Sequence, residues 1–283
     1  MAHLDALPPL REVIATHNLS ARKALGQNFL LDLNLTSRIA RSSGPLEGLH
    51  VIEVGPGPGG LTRAILAAGV QKLTAIETDE RCLPALAEIA AHYPDRLHVV
   101  SGDAMTCDFA ALSGGMPTAI IANLPYNIAS PLIIGWIQSE PWPPWFQSIT
   151  VMVQKEYADR LVATPEQRKD YGRLAVLTSL RVTSKVLFNV PPTAFVPQPK
   201  IMSSVVQLIP RIDAPKFTMA TLERVTQAAF GQRRKMLRQS LKPLGNALDL
   251  LERADIAPEK RAEEIDPDGF VRLANLLDER GSV

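Results

Sequence analysis

Leu49-His50-Val51-Ile52-Glu53-Val54-Gly55-Pro56-Gly57-Pro58-Gly59-Gly60-Leu61-Thr62-Arg63-Ala64-Ile65-Leu66 is the stretch that decides the fold. Its first six residues read as a buried strand, its middle as a glycine turn and its end as a helix. Working outward from it, the same alternation recurs: strand 73–77, helix from about 80 to 91, strands 97–100 and 119–122, and a helix from about 130 to 138. Strands and helices alternating at this spacing predict a doubly wound parallel α/β sheet.

Further along, Glu140-Pro141-Trp142-Pro143-Pro144-Trp145 reads as a rigid connector whose tryptophans pack over the sheet edge. A strand is expected at 149–154 and a helix near 155–163; apolar segments then continue to Leu208, where the sheet should end. Beyond about residue 211 the pattern is helical, with segments at 222–230 and 235–241 and shorter amphipathic pieces after them. The expected organisation is a sheet domain over 1–210 and a small all-helical domain over 211–283.

With 283 residues, 46% of them apolar and 21% charged, the chain has ample material for such cores and lacks the composition of a disordered protein. It contains neither a run of roughly 20 uncharged apolar residues nor a signal-peptide pattern, so a cytoplasmic location is expected and membrane partners are not. Cys82 and Cys107 have no partner motif, and the histidines never fall at metal-ligand spacing, so neither a structural disulfide nor a metal is expected. The net charge of +1 hides a division. Between Pro215 and Gly245 there are seven Lys or Arg against the single acid Glu223, whereas ten acids and five bases follow from Asn246 onward.

Gly55, Gly57 and Gly60, with acidic Glu77 22 residues after the first glycine, satisfy the dinucleotide fingerprint. A pyrophosphate, however, needs backbone N–H donors from this turn, and Pro56 and Pro58 remove two of them. Glu53, Glu77 and Asp103 stand at the carboxyl ends of successive strands, where such sheets bind ligands, and three carboxylates suit a cationic sulfonium carrying an adenosine better than a diphosphate. S-adenosyl-L-methionine is therefore the expected cofactor, with Glu77 on the ribose hydroxyls and Asp103 on the adenine amine. Helix caps or surface charges would explain Glu53 or Asp103 taken singly.

Strand 119–122 delivers Asn123-Leu124-Pro125-Tyr126 to the same sheet edge. An exocyclic amine is a poor nucleophile because its lone pair is delocalised. Acceptors for its two protons, here Asn123 Oδ1 and the Leu124 carbonyl, favour a pyramidal nitrogen, and Tyr126 can stack on the base while Pro125 stiffens the turn. An ordinary turn using Asn and Pro is the plainer alternative.

These motifs together resemble the ribosomal RNA small-subunit adenine N6-dimethyltransferases, over about residues 22–241. The matching segments run in the family's order: Ala21-Arg22-Lys23-Ala24-Leu25-Gly26-Gln27-Asn28-Phe29-Leu30, Glu53-Val54-Gly55-Pro56-Gly57, Asn123-Leu124-Pro125-Tyr126-Asn127-Ile128, Tyr171-Gly172-Arg173-Leu174, Pro191-Pro192-Thr193-Ala194-Phe195-Val196-Pro197 and Gln232-Arg233-Arg234-Lys235. The resemblance implies that Asn28 and Leu30 close over the cofactor with Gly55, Gly57, Glu77, Asp103 and Asn123, and that Phe195 packs opposite Tyr126 around the target base. Read alone, Asn28 would be a helix cap and Phe195 a core residue. The implied substrate is two adjacent adenines in the 3′-terminal hairpin loop of 16S rRNA in the immature small ribosomal subunit, bound by a monomer.

Arg233, Arg234, Lys235, Arg238 and Lys242 place five cations in ten residues, and on a helix 234, 238 and 242 would share one face for phosphate contact. Arg22 and Lys23 would extend that patch; a solvated helix face is the bland reading of it. Three other functions remain open: a large-subunit rRNA adenine methyltransferase, an NAD-dependent oxidoreductase, and a ribosome-assembly factor for which methylation is secondary.

Overall fold

The computed structural model describes residues 6–22 and 25–281. The elements of its first half are α1 (Leu10–Thr16), β1 (Phe29–Leu30), α2 (Leu33–Ser42), β2 (His50–Val54), α3 (Gly60–Ala67), β3 (Lys72–Glu77), α4 (Leu83–His92), β4 (Leu97–Ser101), α5 (Phe109–Ser113), β5 (Thr118–Asn123), α6 (Tyr126–Ile137) and β6 (Phe146–Gln154). There follow α7 (Lys155–Val162), α8 (Arg173–Arg181), β7 (Val182–Val190), β8 (Phe195–Val196), β9 (Ser203–Pro210), α9 (Met219–Gly231), α10 (Leu237–Ser240), α11 (Ala247–Arg253) and α12 (Pro267–Gly281).

The main sheet has seven strands in the order β4-β3-β2-β5-β6-β9-β7. Strands β4, β3, β2, β5 and β6 are parallel to their neighbours, and β9 closes antiparallel on β6. Every residue of β2 is buried, which is why its sequence is continuously apolar apart from His50 and Glu53. The order reverses between β2 and β5, so a crevice opens beyond their carboxyl ends, flanked by the glycine turn on one side and Asn123 on the other. Gly59 sits at φ +89° as the N-cap of α3, a conformation that favours glycine, and a Cβ there would press on the tip of the Ile89 side chain.

Helix α6 begins at Tyr126, earlier than the pattern predicted, because Pro125 supplies a pre-set N-cap whose carbonyl accepts from the Ile128 and Ala129 N–H groups. Of the connector tryptophans, Trp145 stacks on Phe109 at 6.0 Å, and Trp136 of α6 meets the same ring edge-on at 5.3 Å. The buried Arg63 of α3 donates to the Pro8 and Leu7 carbonyls and ties the segment before α1 to the sheet unit.

The chain divides into two compact units, 1–158 with 185–210 and 159–184 with 211–283. The helical unit thus reaches back for 159–184, which the expected 1–210/211–283 partition left in the sheet domain. Burial explains the difference. The α8 segment, anticipated only as apolar sequence, is a helix packed on α9 and α12; just before it, buried Tyr171 donates its hydroxyl to the Ile265 carbonyl and meets Phe230 edge-on.

Candidate active site

A cleft at the carboxyl ends of β2, β3 and β5 has an empty volume of about 900 Å³, its solvent-open mouth included. Its wall contains Asn28, Leu30, Glu53, Gly55, Gly57, Glu77, Asp103, Asn123, Leu124, Pro125 and Tyr126, so nearly every expected cofactor and catalytic residue converges here. Phe195 is the exception. It is 1% exposed, pairs with Leu30 across β1 and β8, and lies in the apolar core instead of lining the cleft opposite Tyr126. Its large apolar ring gains more from that core than from an open wall.

Hydrogen bonding shows what the turn can hold. Gly55 N donates to the Ile76 carbonyl at 2.9 Å, Gly57 N to Glu77 Oε2 at 2.9 Å and Gly59 N to the Pro56 carbonyl at 3.0 Å. With prolines at 56 and 58, every N–H of the turn from 55 to 59 is missing or committed to the protein itself, which removes donors a pyrophosphate would use. Glu77 is the centre of this arrangement, because its other oxygen accepts from Asp79 N at 2.8 Å. Burial raises its pKa, while the N–H bonds from Asp79 and Gly57 oppose the rise. Each carboxylate oxygen keeps a further acceptor site for a diol.

Glu53 departs from the reading of three matched carboxylates. It is 1% exposed, and burial pushes it up to about 8, against the Thr62 hydroxyl that donates to its Oε2 at 2.7 Å and with help from the Glu77 charge. At neutral pH it is a protonated acid and adds no fixed negative charge to the cleft. Asp103 combines two roles, capping Met105 N at 2.9 Å while its carboxylate lines the cleft, exposed.

A stability prediction follows from Glu53. Its folded pKa of about 8 exceeds the unfolded 4.5, so between those values the folded state binds more protons, and stability declines as pH rises through that window. The slope approaches about 1.4 kcal/mol per pH unit at most. Glu53→Gln keeps the acceptor for Thr62 and removes the titration, so its melting temperature should gain on wild type from pH 5 to pH 8. Parallel profiles in a thermal-unfolding series would refute the neutral acid.

At the other wall, Asn123 Nδ2 donates to the Asn28 carbonyl at 3.3 Å. Only the amide nitrogen can meet that oxygen, so Oδ1 is left as the acceptor. Asn28 is not a helix cap, its own Nδ2 reaching the Gly26 carbonyl at 3.3 Å. Tyr126, half-buried, shares a 2.7 Å hydrogen bond with Ser203, which holds the ring in place. Thr62 and Ser203 escaped sequence reading because a lone hydroxyl in an apolar segment carries no local signal.

In the helical unit the basic residues do not form one helical face. Residues 232–235 make a turn, only Leu237–Ser240 are α-helical, and Lys242–Leu244 form a 3₁₀ turn. Backbone bonds from Leu237 N to the Lys260 carbonyl and Arg238 N to the Pro258 carbonyl replace helical ones. Arg234, Lys235, Arg238 and Lys242 are exposed, with Arg238 3.9 Å from Glu259, while half-buried Arg233 donates to the Arg168 carbonyl. Arg22 is exposed in the sheet unit, and Lys23 lies outside the described residues. Among the described residues no helix is long and apolar enough to cross a membrane, and no His, Cys, Asp or Glu group is placed to hold a metal.

A doubly wound sheet with this cleft at its switch point defines a methyltransferase of the Rossmann-like class. The family model for ribosomal RNA adenine dimethylase matches residues 18–279, and the chain belongs to that family. It is 61% identical to ribosomal RNA small subunit methyltransferase A of Xanthobacter autotrophicus, over 98% of this chain and 96% of the relative. The protein of that name from Sinorhizobium medicae is also 61% identical, over 98% of this chain and its own full length. Among solved structures, a dimethyladenosine transferase from Plasmodium falciparum superimposes with a TM-score of 0.75 at 25% identity, over 87% of this chain and 96% of that one. The 23S rRNA methyltransferase ErmE gives 0.66 at 27% identity, over 89% and 100%.

Proposed function

We propose that the protein uses S-adenosyl-L-methionine to dimethylate N6 of two adjacent adenines in the 3′-terminal hairpin loop of 16S rRNA, acting as a cytoplasmic monomer on the immature small subunit. The observation that carries this reading is the Asn123 amide, turned by its bond to the Asn28 carbonyl so that Oδ1 is left as an acceptor beside Tyr126 at the cleft. The small-subunit relatives at about 60% identity favour that substrate over the large-subunit one.

When bound, the cofactor supplies an electrophilic methyl group on a positively charged sulfur. The residues fit it: Glu77 would offer acceptors for the ribose hydroxyls and Asp103 one for the purine amine, with Asn28 and Leu30 in the same cleft wall. Asn123 Oδ1 and the Leu124 carbonyl accept the two amine protons of the target base, steering the nitrogen toward pyramidal geometry, and Tyr126 stacks on the ring. Solvent takes the released proton, so no catalytic base is needed. Bases splayed from an RNA loop can reach such a cleft.

The decisive assay incubates the protein and methyl-labelled cofactor with undermethylated small subunits, large subunits and free rRNA. Label in small-subunit RNA is expected. Label confined to large-subunit RNA would overturn the substrate, and nicotinamide turnover without label the class.

Arg234, Lys235, Arg238 and Lys242 supply phosphate contacts. Replacing both Arg234 and Lys235 with Ala should weaken RNA binding and flatten the slope of log affinity against log salt by about one for each charge removed. An unchanged slope in a salt titration would remove those residues from the interface.

A further inference from the structure

Residues 25–30 cross the glycine turn so closely that a Cβ on Gly60 would lie 2.9 Å from the Leu30 carbonyl oxygen, and one on Gly57 3.3 Å from the Phe29 ring. They form part of the cleft wall. At the methyl-transfer end this segment is held by the Asn123 bond to the Asn28 carbonyl and by the pairing of β1 with β8.

At the ribose end it is held by a pair that lies outside the cleft wall. Asp79, 4% exposed, binds the Arg81 guanidinium with both oxygens, at 2.9 Å from Nε to Oδ1 and 2.6 Å from Nη2 to Oδ2. Arg81 Nη2 also donates to the Ser20 carbonyl at 3.1 Å, and Gln27 Nε2 donates to Asp79 Oδ2 at 3.0 Å. The Gln27 side chain then accepts from Arg22 N at 2.8 Å, while Asp79 N donates to Glu77. One ion pair two residues past the ribose carboxylate thus grips the chain at Ser20 and, within the crossing segment, at Gln27. Charge-assisted bonds around a buried carboxylate are the strong kind.

We propose that Asp79 and Arg81 are positioning residues that latch residues 20–22 and 25–30 over the donor site, so that donor affinity depends on a pair that does not touch the donor. This rests on the donor reading given under Proposed function. The chemistry partner is a nucleoside carrying a sulfonium or thioether, held beneath the strap.

The test uses the full chain with Arg81→Met, which keeps the apolar stem, and Asp79→Asn, which keeps an acceptor for the Arg81 N–H cap. Each should weaken S-adenosylhomocysteine in calorimetry by about tenfold, and raise the donor KM with kcat little changed. Without ligand, hydrogen exchange in 25–30 should accelerate while β2 and β5 stay protected. The double variant should lose no more than the worse single one, since both break one interaction. Unchanged affinity in both variants, or exchange that rises equally in β2 and β5, would overturn the latch. Wild-type protein that fails to bind S-adenosylhomocysteine would instead overturn the donor assignment, and the exchange pattern would still decide the latch.

Discussion

Asn123→Ala should lower the single-turnover rate of methyl transfer by about 10²–10³-fold while leaving S-adenosylhomocysteine binding within about tenfold of wild type. The asymmetry follows from the geometry. Asn123 ends β5 beside β2, and its Oδ1 is the acceptor left once Nδ2 is spent on the Asn28 carbonyl. That oxygen meets the amine only when the target base is in place, so its loss falls on the transition state. The weaker effect on the cofactor side arises because the lost amide also released Asn28 and the strap. Asn123→Asp should fall between, since it keeps an acceptor but sets an oxygen against the Asn28 carbonyl. Rapid-quench transfer to undermethylated subunits beside calorimetry is the check, and a transfer rate within about threefold of wild type would remove Asn123 from catalysis.

Glu77→Ala should be the most damaging change on the donor side, weakening S-adenosylhomocysteine by about 10²-fold and lowering the melting temperature together. Two buried N–H groups, of Gly57 and Asp79, lose their acceptor, each at a cost of about 1–3 kcal/mol. The turn that shapes the cleft and the residue that anchors the strap are released by one substitution. Glu77→Gln should lie between, because its amide offers one oxygen and presents a donor to whichever N–H remains. Thermal unfolding with calorimetry separates the two effects: a variant with wild-type melting and wild-type affinity would show that Glu77 neither braces the turn nor meets the ribose.

The fold and most of the cleft were legible locally. A continuous apolar run into Gly55-Pro56-Gly57 and then a helix has few other ways to fold, and the strand alternation places Glu77, Asp103 and Asn123 at carboxyl ends without knowledge of any contact. The objection to a pyrophosphate, raised from two prolines, is extended by the structure, since the N–H groups of Gly55, Gly57 and Gly59 between and beside them are also committed.

Other features escaped because they belong to no segment of the chain. The 234–242 stretch looks like a helix face until its N–H groups find carbonyls at 258 and 260. Residues 159–184, a helix end, a polar loop and an apolar segment in sequence, read as part of the sheet domain until α8 buries its side chains with α9 and α12. Phe195 carries a motif that points to the base, and its ring is in the core.

Residue order by itself determined the sheet, the ligand edge and the residue types gathered there, because hydrophobic period and glycine or proline placement act over a few neighbouring residues. Only the tertiary structure decided that Glu53 is a neutral acid, which amide oxygen is left as acceptor, and that Asp79 and Arg81 grip a segment some 60 residues earlier in the chain. Desolvation and hydrogen-bond partnership are set by what distant segments bring to a side chain, and that is fixed only once the chain has closed on itself.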